Sequence, residues 1–185
     1  LTVDDKYSWD FAMLGVGLRY INGVGKPDML HYVESFGMEG HYDFASNRGY
    51  IWSRTFPLLK RTLLLGVGRD NFAYAFPNDD YVGKVNCGFN EQIVTKPHNM
   101  YLQIWVQDGL PALLAFLALY LLLFCRTIRK CFKKGKWNRS QKISLALLCG
   151  VSGYFVAGLA NDSSICVAPV FWILFGVAFA VSRSE

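Results

Sequence analysis

The run Leu110–Cys125, LPALLAFLALYLLLFC, contains no Asp, Glu, Lys or Arg. Two further uncharged runs follow it, Ile143–Ala160 and Val167–Val181. A helix that crosses a bilayer needs about 20 apolar residues, with about 17 as a lower limit. The first run reaches that length by drawing on Tyr101–Gly109, and the third by drawing on Ile165 and Cys166. To bury three such runs after Met100, a soluble protein would need a larger core than a chain of 185 residues can build. The pattern predicts an all-α integral membrane fold with three C-terminal transmembrane helices.

Charge sets the expected orientation. Residues 126–142 carry eight cations (Arg126, Arg129, Lys130, Lys133, Lys134, Lys136, Arg139 and Lys142) and no acid. Residues 1–100 carry ten Lys and Arg against eleven Asp and Glu. Short cytoplasmic loops concentrate Lys and Arg, so the basic segment is expected inside. The predicted order is an extracytoplasmic loop over 1–100, a span over 101–125 and the basic cytoplasmic loop over 126–142. A second span over 143–160, a short external turn over 161–166 and a third span over 167–182 complete it. The expected location is the cytoplasmic membrane, multi-pass. Eight cations between two apolar runs read as a topology signal rather than a nucleic-acid patch, so no nucleic-acid partner is expected. The isoelectric point near 9.0 comes almost wholly from this loop.

Nothing near Leu1 resembles a signal peptide. The expectation is that further N-terminal transmembrane helices of the same protein deliver the external segment. The five cysteines show no CxxC and no zinc-type spacing. On this topology only Cys87 and Cys166 face an oxidising side, so a bond between them is the one pairing to test.

Within the first hundred residues, Ile51, Phe56, Leu58, Leu59, Leu63 and Leu64 interleave with Arg54, Lys60 and Arg61. This predicts an amphipathic helix, kinked at Pro57, lying along the membrane surface. Residues 1–45 are expected to be irregular with short helices. Gly66-Val67-Gly68 suits a turn that ends the amphipathic stretch. It does not suit a dinucleotide site, since no strand–helix unit surrounds it and no third glycine follows. Asp79-Asp80 could hold a divalent cation through oxygen ligands, but paired acids in a solvated turn are far commoner.

Two residue types remain that could carry chemistry. Guanidinium groups grip phosphate oxygens in bidentate fashion, which marks Arg48, Arg54 and Arg69 beside an apolar groove. His98, just before the first apolar run, can accept a proton at neutral pH. Asn99 follows it.

The pieces Arg48-Gly49-Tyr50-Ile51-Trp52, Leu64-Leu65-Gly66-Val67-Gly68-Arg69-Asp70-Asn71-Phe72 and Pro97-His98-Asn99-Met100-Tyr101-Leu102-Gln103 occur in this order. As an ordered set they resemble the O-antigen ligase and polysaccharide polymerase family of bacterial membrane proteins. The resemblance implies a multi-span helical enzyme, needing no cofactor, metal or nucleotide sugar. Such an enzyme moves a glycan from an undecaprenyl diphosphate carrier to a sugar hydroxyl of a polysaccharide acceptor at the outer membrane face. Carried over by position, His98 matches the family's histidine and Arg48 its loop arginine. His98 and Arg48 are then the expected catalytic pair, with Arg69, Arg54 and Asn99 as substrate-binding residues. An earlier arginine of the family has no counterpart here, and Arg19 does not supply it. Gly109-Leu110-Pro111-Ala112 departs from the ligases, which often have a second glycine at the Ala112 position. The stretch through Asn78–Lys84 looks closer to versions from Gram-positive bacteria, for which a capsular or cell-wall acceptor is expected.

Two rival readings stand beside the enzyme. A transporter or flippase for the lipid-linked glycan would place charges inside spans, and these three runs have none. A membrane anchor presenting a binding domain would require residues 1–98 to fold alone.

Overall fold

The computed structural model describes residues 19–21, 27–29, 33–88, 92–133 and 137–183. Two short strands, β1 (Arg19–Ile21) and β2 (Pro27–Met29), form an antiparallel ribbon with Arg19 opposite Met29. A ribbon therefore stands inside a stretch expected to be irregular with short helices. Every other described element is helical.

Helix α1 (Phe44–Arg61) carries three residues in left-handed geometry near its start, Ala45, Ser46 and Asn47, with φ of 50, 61 and 64°. L-residues adopt that region at a cost of about 1–2 kcal/mol each. Regular helix therefore begins at Arg48. Pro57 lies inside the helix and has no N–H for the Ser53 carbonyl. That carbonyl accepts instead from the Phe36 N–H at 2.9 Å. The helix buries part of its predicted apolar face within the protein, while Leu63 and Leu64 just beyond its end stay exposed. Tyr50, Ile51 and Leu58 turn inward and pack with Phe72, Phe76, Val94 and Val106. Two short helices, α2 (Phe72–Ala75) and α3 (Tyr81–Asn86), complete this outer unit.

Helix α4 (Met100–Asp108) and helix α5 (Leu110–Cys131) are separate, so the expected span over 101–125 is broken. The break is at Gly109, whose φ is 91°, and Pro111 starts the next helix. A side chain at Gly109 would meet the Leu64 carbonyl oxygen at 2.6 Å in addition to the strained φ. The Leu63–Gly68 turn lies against this joint: Val67 and Gly68 donate to the Val106 and Gln107 carbonyls at 2.9 and 3.0 Å, and Leu110 donates to Leu63 at 3.2 Å. A Cβ on Gly66 would fall on the Gln107 carbonyl, so the glycine pair makes a close-approach turn, as its sequence suggests.

Three long helices form a bundle: α5, α6 (Arg139–Ala157) and α7 (Ala168–Arg183). At about 1.5 Å per residue the 22 residues of α5 extend about 33 Å, against a hydrocarbon core of about 30 Å. Among the described residues α5 is the one helix long and apolar enough to cross a membrane; α7 is apolar but has 16 residues. Both neighbours of the basic segment encroach on it, because α5 continues to Cys131 and α6 begins at Arg139 with an Asn138–Gln141 capping box. The bundle core is aromatic, with Tyr120 stacked on Phe155 and Tyr154 on Phe171, both at 4.1 Å between centroids. Leu114, Leu121, Ile173 and Val177 point outward.

Candidate functional site

The turn after α6 and the N-terminus of α4 are joined by four hydrogen bonds. Met100 N–H donates to Gly158 O at 2.8 Å, and the Asn99 side-chain amide donates to Leu159 O at 2.9 Å. Tyr101 hydroxyl donates to Phe155 O at 2.6 Å, and Ser163 N–H donates to the Gln103 side-chain oxygen at 3.0 Å. Asn99 also caps α4, accepting from the Tyr101 and Leu102 amides at 3.0 Å. Both ends of its amide are engaged, so Asn99 shapes the loop that carries His98.

That stitching brings His98 to Asp162. The two side chains approach to 2.9 Å, His98 Nδ1 to Asp162 Oδ2. His98 holds φ at 51°, a left-handed geometry that persists only where the surroundings impose it. The imidazole is 47% exposed while the carboxylate is 10% exposed, so the dyad presents its base outward and hides its anion. The second carboxylate oxygen, Oδ1, is buried with no protein partner. Asp162 escaped sequence reasoning, which treated 161–166 as a connecting turn. The available signal was that it is the one acid between Asp108 and Glu185.

Helix α1 reaches the same loop through Trp52, whose indole N–H donates to Pro97 O at 2.8 Å. Arg48 is four residues before Trp52 and so on the same helix face, about 5–6 Å away between Cβ atoms. No hydrogen bond joins Arg48 to His98. Its Nη1 donates to Ala45 O at 3.2 Å across the left-handed turn, and its Nε is buried without a partner.

Arg69 is exposed and pairs with Asp108 at 3.3 Å, a surface contact worth about 0–1 kcal/mol. Arg54 is placed quite differently from the expectation. It is 4% exposed, its Nε lies 3.0 Å from Asp80, and its guanidinium sits over the rings of Tyr42 and Tyr50 at 4.9 and 4.6 Å. Burial is the largest influence and opposes its charge, but the Asp80 carboxylate and the two tyrosines together outweigh it and leave the guanidinium pKa raised. Arg54 thus ties this unit together from within its core. Tyr50 donates to Asp80 at 3.0 Å, and burial followed by the Asp80 charge raises its hydroxyl far above the usual value of about 10. Lys84 donates to Asn78 and to Gln92 O, and burial lowers its pKa against the opposing pull of Asp80 and Asp79. Asp80 therefore belongs to this network and not to a cation site. Cys87 and Cys166 are free thiols, so the pairing suggested by topology does not form.

The groove expected beside residues 50–65 is filled by the outer unit's own core. The open space lies elsewhere, in a cavity of about 630 Å³ between α4, α5 and α7. Its rim is polar, with Arg69, Gln103, Gln107 and Ser163; its depth is apolar, with Phe116 and Trp172. Ser163 follows Asp162 directly, which sets this cavity beside the dyad.

No curated protein and no solved structure matches the chain. A family model described as O-antigen ligase matches residues 11–117. That interval contains α1, the close-approach turn, His98, α4 and the start of α5, the parts that build the site on its outer side. The chain therefore belongs to the O-antigen ligase family, enzymes of membrane-associated polysaccharide biosynthesis.

Proposed function

We propose that the protein transfers a glycan from an undecaprenyl diphosphate carrier to a sugar hydroxyl of a polysaccharide acceptor. The reaction runs at the outer face of the cytoplasmic membrane, as in an O-antigen ligase or a capsular or cell-wall polysaccharide polymerase. The observation that carries this reading is the His98–Asp162 pair at 2.9 Å, beside a cavity with a polar rim and an apolar depth. An amphiphile with a glycan head matches such a cavity.

In the proposed step the acceptor hydroxyl oxygen attacks the anomeric carbon of the donor sugar. Its proton passes to His98 Nε2, while Nδ1–H donates to Asp162, which stabilises the imidazolium that forms. The bond between the anomeric carbon and the diphosphate oxygen breaks, and the carrier leaves as a diphosphate. Arg48, at the end of the left-handed turn, faces the departing charge, and Arg69 at the cavity rim assists once it releases Asp108. The step needs no metal. In this arrangement the basic 126–142 segment faces the cytoplasm and residues 1–100 face outward.

The test is His98→Ala in the full-length protein, with the glycan–lipid bond followed by product analysis in vesicles. Loss of transfer with normal membrane insertion is expected. Undiminished transfer by that variant overturns the assignment, and transport without bond exchange would favour a flippase.

A further inference from the structure

A second cavity, of about 670 Å³, lies at the opposite end of the bundle. It is lined by Arg126, Arg129 and Lys130 of α5 and Lys133 just beyond it, by the cap Asn138 and Gln141 at the start of α6, and by Ser182 and Arg183 at the end of α7. From these residues we infer a binding site for the phosphate of an anionic phospholipid, distinct from the proposed transfer site and independent of that reading.

The three α5 cations Arg126, Arg129 and Lys130 follow the spacing i, i+3 and i+4, which places them on one helical stripe, and Lys133 follows directly after the helix end. A topology signal requires only net charge in the segment and does not require a stripe turned into a concavity shared by three helices. Lys130 closes the floor: it is 8% exposed and donates to Ser140 Oγ at 2.7 Å and to Val181 O at 2.6 Å, joining α5 to α6 and α7. Around it, Arg126, Arg129, Lys133 and Arg183 have no carboxylate partner among the described residues. The sequence offers them little, since after Arg126 it has two acids, Asp162, which is paired with His98 at the other end, and Glu185. Nη1 of Arg126 is buried and makes no hydrogen bond to protein. Guanidinium forks match phosphate oxygens in bidentate geometry.

The helix above the stripe identifies the ligand as a lipid. Leu122 and Ala118 lie four and eight residues before Arg126, on the same face, and both are exposed. A phosphate seated at Arg126 and Arg129 would have its acyl chains along that apolar continuation. A free phosphate would leave the continuation uncovered.

The experiment uses the purified full-length protein in detergent, titrated with phosphatidylglycerol, phosphatidylcholine or inorganic phosphate and read by native mass spectrometry. Saturable retention of phosphatidylglycerol over phosphatidylcholine, by at least tenfold, is expected. The double variant R126K/R129K keeps the charge that directs insertion but loses the fork, and its affinity should fall at least tenfold. Lys142→Gln removes an exposed cation outside the cavity and should leave binding within twofold. Displacement of the lipid by millimolar inorganic phosphate, with the same dependence on Arg126 and Arg129, would assign the phosphate site to a soluble ligand and overturn the lipid. Equal retention of both lipids, or equal loss in R126K/R129K and Lys142→Gln, would overturn the site itself.

Discussion

Asn99 donates its side-chain amide to the Leu159 carbonyl at 2.9 Å while its side-chain oxygen caps α4. One residue therefore fixes the N-terminus of the helix after His98 and ties it to the turn that carries Asp162. Asn99→Asp keeps the cap and loses the donor; Asn99→Ala loses both. The cap alone is worth about 1 kcal/mol. Thermal unfolding should rank wild type above Asn99→Asp above Asn99→Ala. Transfer should fall several-fold in both, through kcat rather than KM, because Asn99 positions the base and does not touch the sugar.

Asp162→Asn preserves shape but removes the charge that would stabilise an imidazolium. General-base catalysis contributes about 10²–10⁴-fold, so a loss of about 10²-fold or more in kcat is expected, with insertion unchanged. Activity within threefold of wild type would show that the contact at 2.9 Å is structural only.

Arg54 gives the opposite pattern. Removing one partner of a buried pair costs about 3–5 kcal/mol, so Arg54→Met should strongly lower the melting temperature of the protein. Because it leaves Asp80 buried and uncompensated, the double variant Arg54→Met/Asp80→Leu should recover part of that loss. Neither should selectively change KM for the carrier in the fraction that remains folded.

Tyr50 supplies an alkaline limit. Its hydroxyl stays protonated in the fold well above the value of about 10 at which an unfolded tyrosine ionises. The folded state then holds more protons than the unfolded one, so stability present below pH 10 is lost as pH rises beyond it. Lys84 has the opposite sense, since burial disfavours its charged form and lowers its pKa. The diagnostic is the difference between proteins: Tyr50→Phe should flatten the fall in melting temperature above pH 10.

Gly109→Ala should be destabilising by more than about 1 kcal/mol, from its positive φ and the 2.6 Å approach to Leu64 O. Circular dichroism melts of the reconstituted protein would measure it. A neutral result would mean that α4 and α5 can join without the Leu63–Gly68 turn between them.

The helical class, the long apolar helix α5 and the glycine turn were legible because hydrophobic period and glycine placement report local geometry directly. The division of 101–125 was not, since a hydropathy run passes through Gly109-Leu110-Pro111 unchanged while the backbone breaks there. Arg54 was misplaced for a related reason: an arginine between apolar residues reads as a surface cation unless its partner, 26 positions on, is known. The ordered motifs brought His98 into view, but Asp162 lies 64 residues away in sequence. Only the packing of α4 on the α6–α7 turn places it beside the imidazole.

Lys130 clasps the three helices at one end of the bundle, and Asn99, Tyr101 and Gln103 fasten the turn at the other. A frame pinned at both ends resists splaying of its helices. On the proposed function, this wall of the cavity would then select a glycan as a fixed gauge, by girth and reach rather than by closing around what enters.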